Sequence, residues 1–280
     1  MSYLFKLIQV YRPALLLAPG LIFGLSFFLS EASFSWTAFL QLLCITFLAP
    51  ILVFGVNNVF DFESDKNNPR KKQIWFGETL QKEDHKFIIK AAIVVSFALI
   101  LSSLFTLNLI NLILMVFGIS IAWLYSTPPF RLKDKAFGDV FSNIFGLLSI
   151  AGLGLSFGNL EIFLSSVPLE RIIGICLALF MASLLAGLAD YEADLEAGTS
   201  TTAIFFGKQI SAIFGLLAIL PLLLINFQEA PFLKSNLYLI CLIYLPVILL
   251  PSNKKIVTVT YNSIAIITII SFIVYIRTLV

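Results

Sequence analysis

Nine apolar windows, at about residues 13–30, 37–58, 87–107, 109–126, 139–158, 172–190, 203–226, 232–250 and 256–276, run almost end to end through the 280-residue chain. Each is long enough to cross the hydrocarbon core of a bilayer as a helix. A backbone in hydrocarbon has no water to satisfy its N–H and C=O groups, so it must satisfy them internally. With 59% hydrophobic and 12% charged residues, the composition excludes an ordinary soluble domain. The expected fold is all-α, a polytopic membrane helical bundle of about nine transmembrane helices. The first window follows Lys6 and Arg12 much as a secretory leader would. Pro13 and Pro19 interrupt it and no clear small-residue cleavage site follows, so it reads as a retained helix.

Nine spans put alternate connections on opposite sides of the membrane. With the amino terminus in the cytoplasm, 15 of the 18 basic residues fall on that side, leaving Arg171, Lys234 and Arg277 outside. That asymmetry fixes the expected orientation by the positive-inside rule. The acidic residues crowd on the same side, with only Glu31, Glu161, Glu170 and Glu229 outside. Acidic side chains contribute little to orientation, so their crowding marks a site.

The densest stretch is NNVFDFESDKNNPRKK, residues 57–72, at the end of the second window. On a helix Asn57, Asp61 and Asp65 lie four residues apart, so each step drifts about 40° and rises about 6 Å. Three oxygen-bearing side chains then share one stripe. Carboxylates stacked at the end of a membrane helix repel each other and resist burial, and a divalent cation would compensate them. Arg70, Lys71 and Lys72 follow, as a diphosphate beside such a metal requires, because each phosphate oxygen needs a charge partner or a donor. A second acidic pair, Asp190 and Asp194, repeats the spacing at the cytoplasmic end of the sixth window, with Gly198, Thr199, Thr201 and Thr202 behind it. Two such clusters four spans apart point to two related halves of one bundle.

Between them, Tyr125-Ser126-Thr127-Pro128-Pro129-Phe130-Arg131-Leu132-Lys133 closes the fourth window. Two prolines end a helix, since they lack the N–H and clash with the preceding turn. Tyr125 and Ser126 at the membrane end, with Arg131 and Lys133 beyond, suit an anionic head group joined to an apolar tail. The remaining features read as structure. Gly20 and Gly24 have the spacing of a close helix contact. Gly146, Gly152, Gly154 and Gly158 serve packing or leave room beside a ligand. His85, the only histidine, reads as a solvated surface residue. Cys44, Cys176 and Cys241 lie in apolar spans without metal or disulfide spacing. No nucleic-acid motif is present.

The three motifs, Asn57-x-x-x-Asp61-x-x-x-Asp65, YSTPPFRLK and Asp190-x-x-x-Asp194 with its trailing Gly198 and threonines, occur in order at the right helix ends. In this the chain resembles the UbiA superfamily of intramembrane prenyltransferases over nearly its whole length. The resemblance implies a single integral-membrane domain, residues 1–280, with cytoplasmic cap loops at about 61–86 and 190–203 and a lateral opening to lipid. It also implies Mg²⁺-dependent transfer of an isoprenyl chain from its diphosphate to a lipophilic acceptor. The expected location is the cell inner membrane, with the amino terminus and the active site cytoplasmic. Many members have Asn-Asp where this chain has Asn57-Asn58, which removes one acidic group. Asn68-Pro69-Arg70-Lys71 and the run from Glu192 to Gly198 resemble the branch that prenylates long acyclic carotenoids, the lycopene elongases.

The residue types suit that chemistry without the family name. Mg²⁺ prefers oxygen ligands and is commonly held by one or two carboxylates plus substrate phosphates. Asn57, Asp61, Asp65, Asp190 and Asp194 are the expected ligands. Arg70, Lys72, Arg131 and Lys133 are expected to take charge on the departing diphosphate. The ring of Tyr125 is placed to meet an allylic cation, or its hydroxyl to orient the phosphate. A carotenoid is one acceptor; an aromatic quinone precursor, a chlorophyllide and a glycerol lipid are others. The competing classes are a secondary transporter, disfavoured because the charges sit at helix ends and not at the midplane, and a non-catalytic isoprenoid-binding relative.

Overall fold

A computed structural model describes residues 7, 10, 17–62, 80–158, 169–224 and 231–279. Among them lie nine helical segments and no β-strand. They are α1 (Ala18–Leu29), α2 (Trp36–Phe60), α3 (His85–Leu104), α4 (Leu109–Ser126), α5 (Gly138–Leu155), α6 (Leu169–Glu196), α7 (Thr202–Ile219), α8 (Pro231–Leu249) and α9 (Lys254–Leu279). The nine apolar windows correspond one to one with these segments. Two ends depart most: α7 stops at Ile219 and gives way to a 3-10 turn, Leu220–Leu224, while α6 stays helical through Glu196 and carries acidic residues on regular helix past the apolar window.

The chain divides into two compact units, Met1–Lys133 with Phe145–Ser166, and Asp134–Ile144 with Val167–Val280. In the first, α2 and α3 pack along each other and α1 and α4 pack against them. Phe23, Ile45, Leu52, Val56, Leu99 and Leu153 are buried at its centre. Backbones approach closely where glycine permits. A methyl group at Gly154 would lie 2.4 Å from the carbonyl oxygen of Phe23 and 2.8 Å from the nitrogen of Phe27, and one at Gly20 would lie 2.1 Å from Thr46 Oγ1. Gly24 is looser, 4.0 Å from its nearest neighbour, and Gly146 has nothing within 4 Å. These glycines therefore divide, Gly154 of α5 and Gly158 beyond its end serving contact with α1 and the residue that follows it, and Gly146 opening onto space.

One polar cluster lies deep in this unit. Gln41 of α2 and Asn111 of α4 exchange hydrogen bonds through both ends of their amides, Gln41 Nε2 donating to Asn111 Oδ1 (2.8 Å) and Asn111 Nδ2 to Gln41 Oε1 (3.0 Å). Ser103 of α3 donates to Asn111 Oδ1, and Asn111 Nδ2 reaches Ser156 Oγ at 2.8 Å. Gln41, Ser103 and Asn111 are fully buried. A buried amide without partners is costly, so this cluster fixes how four segments meet.

α2 is not a uniform helix. Pro50 lacks an N–H and its ring crowds the carbonyl four residues back. The helix passes this point through one π turn, Ile51–Gly55, and regains α geometry at Val56–Phe60. The turn that aims Asn57 and Asp61 thus starts from a widened register.

In the second unit α6 and α7 form the most extensive pair, and α8 and α9 complete the packing. Leu185, Ala212, Ile219, Tyr244, Val247 and Val257 are fully buried there. α7 is broken at Gly207, whose φ of 78° is a conformation that favours glycine.

Candidate functional site

In the first unit the site is built on the last turn of α2. Asp61 N donates to Asn57 O at 2.9 Å, so the two side chains stand one turn apart on one stripe, as their spacing predicts. The α-helix stops at Phe60, and Asp61 has φ −98° and ψ 4°. Asp65, Arg70 and Lys72 lie outside the described residues.

α4 ends at Ser126, where the two prolines require it to, and Thr127 caps it by donating from Oγ1 to Trp123 O at 2.7 Å. The Pro128–Pro129 peptide is cis, and Arg131 N then donates to Thr127 O at 2.9 Å. Arg131 sits at φ 39°, a left-handed conformation costly for a side chain of this kind. From this turn both cations reach back to α2. Lys133 Nζ is hydrogen-bonded to Asp61 Oδ1 and lies 3.2 Å from Asn57 Oδ1, while Arg131 Nη2 is 3.5 Å from Asp61 Oδ1. The Lys133 and Asp61 side chains are each only 11% exposed. The compensating charge expected beside Asp61 is thus provided by this chain's own ammonium.

Two neighbours differ from their expected roles. Asn58 is 3% exposed and accepts a hydrogen bond from Leu80 N at 3.1 Å, so it fastens the chain entering α3 to the end of α2. A neutral carbonyl serves that purpose. His85 is half-buried with its ring edge against Phe62, centroids 5.1 Å apart, and its Nε2 is enclosed without a hydrogen-bond partner. Expected as a solvated group, it is packed instead. Tyr125 is half-buried, whereas Ser126 is fully buried and its hydroxyl has no hydrogen-bond partner.

The second unit carries Asp190 and Asp194, both half-buried, one turn apart on α6. The end of that helix is closed by a left-handed Gly198 at φ 70°. Gly198 N donates to Leu195 O (3.1 Å) and Thr199 N to Asp194 O (3.1 Å), the paired bonds of a Schellman cap. Thr199 Oγ1 adds a bond to Asp194 O at 3.0 Å.

The following residues are clamped by a group that sequence reasoning missed. Asp139, in the first turn of α5, accepts from Thr202 N at 3.0 Å and from the Thr202 hydroxyl, which in turn accepts from Phe137 N at 2.7 Å. Ser200 N donates to Asp134 O at 2.9 Å alongside. An acid opening one span and a Thr-Thr pair opening another were the available signal. Thr201 Oγ1 is buried and without a partner.

Asn57 and Asp61 offer hard oxygen donors, and a cation already rests between them. That is the property a divalent metal needs, so the donor set fits Mg²⁺. Among the described residues no three His, Cys, Asp or Glu side chains converge.

A model of the UbiA prenyltransferase family matches residues 16–273. A lycopene elongase/hydratase of Corynebacterium glutamicum is 29% identical over 201 residues, covering 67% of this chain and 64% of that protein. One from Haloarcula japonica is 30% identical over 175 residues, covering 62% of this chain and 56% of that protein. The matches thus span less than two thirds of these relatives' lengths. Among solved structures, a UbiA homologue from Archaeoglobus fulgidus bound to GPP and Mg²⁺ superposes with a TM-score of 0.64 over 98% of this chain and 99% of that one, at 19% identity. That likeness shows a shared fold.

Proposed function

Because the chain belongs to the UbiA prenyltransferase family, we propose that it transfers an isoprenyl group from an isoprenyl diphosphate to a lipophilic acceptor within the membrane. The observation that carries this reading is the cation cradle made by Asn57 and Asp61, bordered by Arg131 and Lys133 at the end of an apolar helix. In this reading Asn57, Asp61, Asp65, Asp190 and Asp194 hold Mg²⁺, and residues 1–280 work as one catalytic domain with caps at about 61–86 and 190–203. Mg²⁺, when bound, neutralises the diphosphate and favours its departure.

The chain's own groups do the rest. Arg131 and Lys133, with Arg70 and Lys72, meet the phosphate oxygens and share their charge. The hydroxyl of Ser126, buried and without a partner, is a donor available to a phosphate or a water. Tyr125 turns its ring to the allylic carbon, and the apolar walls keep water from the cation until the acceptor attacks. The active site and the amino terminus face the cytoplasm, as the basic residues direct.

For the acceptor we favour a long acyclic carotenoid, on the two lycopene elongase/hydratase relatives at 29% and 30% identity. The test is the purified protein in liposomes with isoprenyl diphosphates, Mg²⁺ and a panel of lycopene, aromatic, chlorophyllide and glycerol-lipid acceptors. The reading expects diphosphate release with a mass gain on lycopene, and loss of both in Asp61→Ala and Asp190→Ala proteins that still insert and fold. Retained turnover in either variant contradicts it. Solute flux without diphosphate release would mark a transporter instead.

A further inference from the structure

We propose that Asp139 is a positioning residue for the metal-diphosphate site: from the first turn of α5 it holds the segment after α6 on the course that keeps Asp194 in place on its helix. This rests on the reading above, in which Asp190 and Asp194 take part in holding the metal, and names a residue on which that pair depends.

The segment from Gly198 to Gly207 is not held by helical continuity. Both glycines have positive φ, 70° and 78°, so one break ends α6 and another interrupts α7 after Phe206. Thr201, the residue before α7, makes no side-chain capping bond. Asp139 supplies one from another helix. One of its carboxylate oxygens accepts from Thr202 N at 3.0 Å and the other from the Thr202 hydroxyl. Thr202 is fully buried, and its hydroxyl accepts in turn from Phe137 N at 2.7 Å. Alongside, Lys135 pairs with Ser200 through one parallel backbone bridge, and Ser200 N donates to Asp134 O at 2.9 Å. The Ser211 hydroxyl, beyond the second break, donates to Ala203 O at 3.2 Å. All of these residues belong to the second unit.

The same segment closes α6. Thr199 gives both its N–H and its hydroxyl to Asp194 O, at 3.1 and 3.0 Å. A helix leaves its last carbonyls without partners of its own, so its final turn depends on such bonds. Thr199 and Thr202 stand three residues apart, and whatever fixes the second fixes the first. Releasing Thr202 therefore lets Thr199 leave Asp194, and α6 frays from its end. Asp194 lies in that last turn and Asp190 one turn further in, so Asp194 loses its place first. A metal site needs its carboxylates already aimed, and spreading Asp194 over a frayed turn weakens the site from outside it. Asp139 thus acts through Thr202 and not as a ligand.

The experiment measures Mn²⁺ binding to the purified full chain in nanodiscs, by the free Mn²⁺ EPR signal, in the presence of a non-transferable isoprenyl thiolodiphosphate. Asp139→Ala removes both acceptors and Thr202→Val removes the hydroxyl; each is expected to weaken Mn²⁺ by at least about tenfold. Thr202→Ser keeps both donors. Asp139→Asn still accepts from Thr202 N while its amide donates to the Thr202 hydroxyl. Both conservative variants should stay within about threefold of wild type. In an Asp194→Asn background, itself weakened, the further effect of Asp139→Ala should fall below about threefold. Thermal unfolding of each variant establishes that it is folded, and Thr202→Val carries the test if Asp139→Ala is not. The positioning role is overturned, while the enzyme reading survives, if the folded Asp139→Ala or Thr202→Val protein binds Mn²⁺ as wild type does. It is equally overturned if Asp139→Asn binds as weakly as Asp139→Ala, or if the full effect persists in the Asp194→Asn background. If wild type binds no Mn²⁺ with the analogue, or Asp194→Asn binds it as wild type does, the reading of the metal site itself fails.

Discussion

Replacing Asn111 with leucine should cost more than any other single polar change in the first unit, and the loss should be shared with Gln41. Asn111 takes part in four side-chain hydrogen bonds, two with Gln41 and one each with Ser103 and Ser156. Polar contacts within membrane bundles average about 0.6 kcal/mol and reach about 1.7. Four lost bonds give roughly 2.4 kcal/mol at that average. Stranding the buried Gln41 amide adds about 1–2 kcal/mol, since an unsatisfied buried group carries its desolvation cost. Asn111→Leu is therefore expected to destabilise by about 3.4–4.4 kcal/mol and Gln41→Leu by about 2–3. In the double variant the stranded amide no longer exists, so the combined loss should fall short of the sum by at least ~1 kcal/mol. Reversible unfolding in mixed detergent–SDS micelles, followed by circular dichroism, gives the three free energies. Additivity within about 0.5 kcal/mol would refute the reasoning. Gln41 lies 16 residues before Asn57 on α2, about 24 Å along a helix. Mn²⁺ binding by the folded fraction should therefore be unchanged.

Other outcomes follow from single side chains. Tyr244 is fully buried with an unpartnered hydroxyl, so Tyr244→Phe should be neutral or stabilising by up to about 1 kcal/mol in the same unfolding assay. Gly215→Ala should destabilise by about 1–3 kcal/mol, because the new methyl would fall 1.9 Å from that hydroxyl and 2.7 Å from Tyr244 Cζ. In α5, Gly154→Ala should weaken the protein by a similar amount through backbone atoms of α1 that cannot yield, while Gly146→Ala changes little. Gly198→Ala meets no neighbour within 4 Å, so its expected cost of about 1 kcal/mol is that of the left-handed backbone alone.

The fold was legible because hydrocarbon leaves the backbone so little choice. Apolar length located the nine helices of the described residues, with boundaries shifted by a few residues except at the end of α7, which stops at Ile219, and at α6, where Glu192 and Asp194 continue the helix beyond the apolar window. Spacing also put Asn57 and Asp61 on one stripe. Side-chain partners were less legible, because a partner is set by tertiary approach. The sequence offered Lys133 as a phosphate ligand, and nothing in it says that the ammonium rests on Asp61. Asn58 read as a missing acid, yet it holds Leu80 N. Ser103 and Asn111 are common residues in apolar helices and carry no signal by themselves; only their convergence with Gln41 gives them weight. The window 37–58 read as one uninterrupted span, and the π turn after Pro50 within it depends on packing around α2.

The central proposal is that Asp61 and Asp190 both serve the metal and diphosphate. Mn²⁺ binding in the presence of the thiolodiphosphate, compared among wild type, Asp61→Asn, Asp190→Asn and the double variant, tests it most directly. The account expects either single change to weaken Mn²⁺ at least tenfold and the double to add little further. Wild-type affinity in either single variant would contradict it.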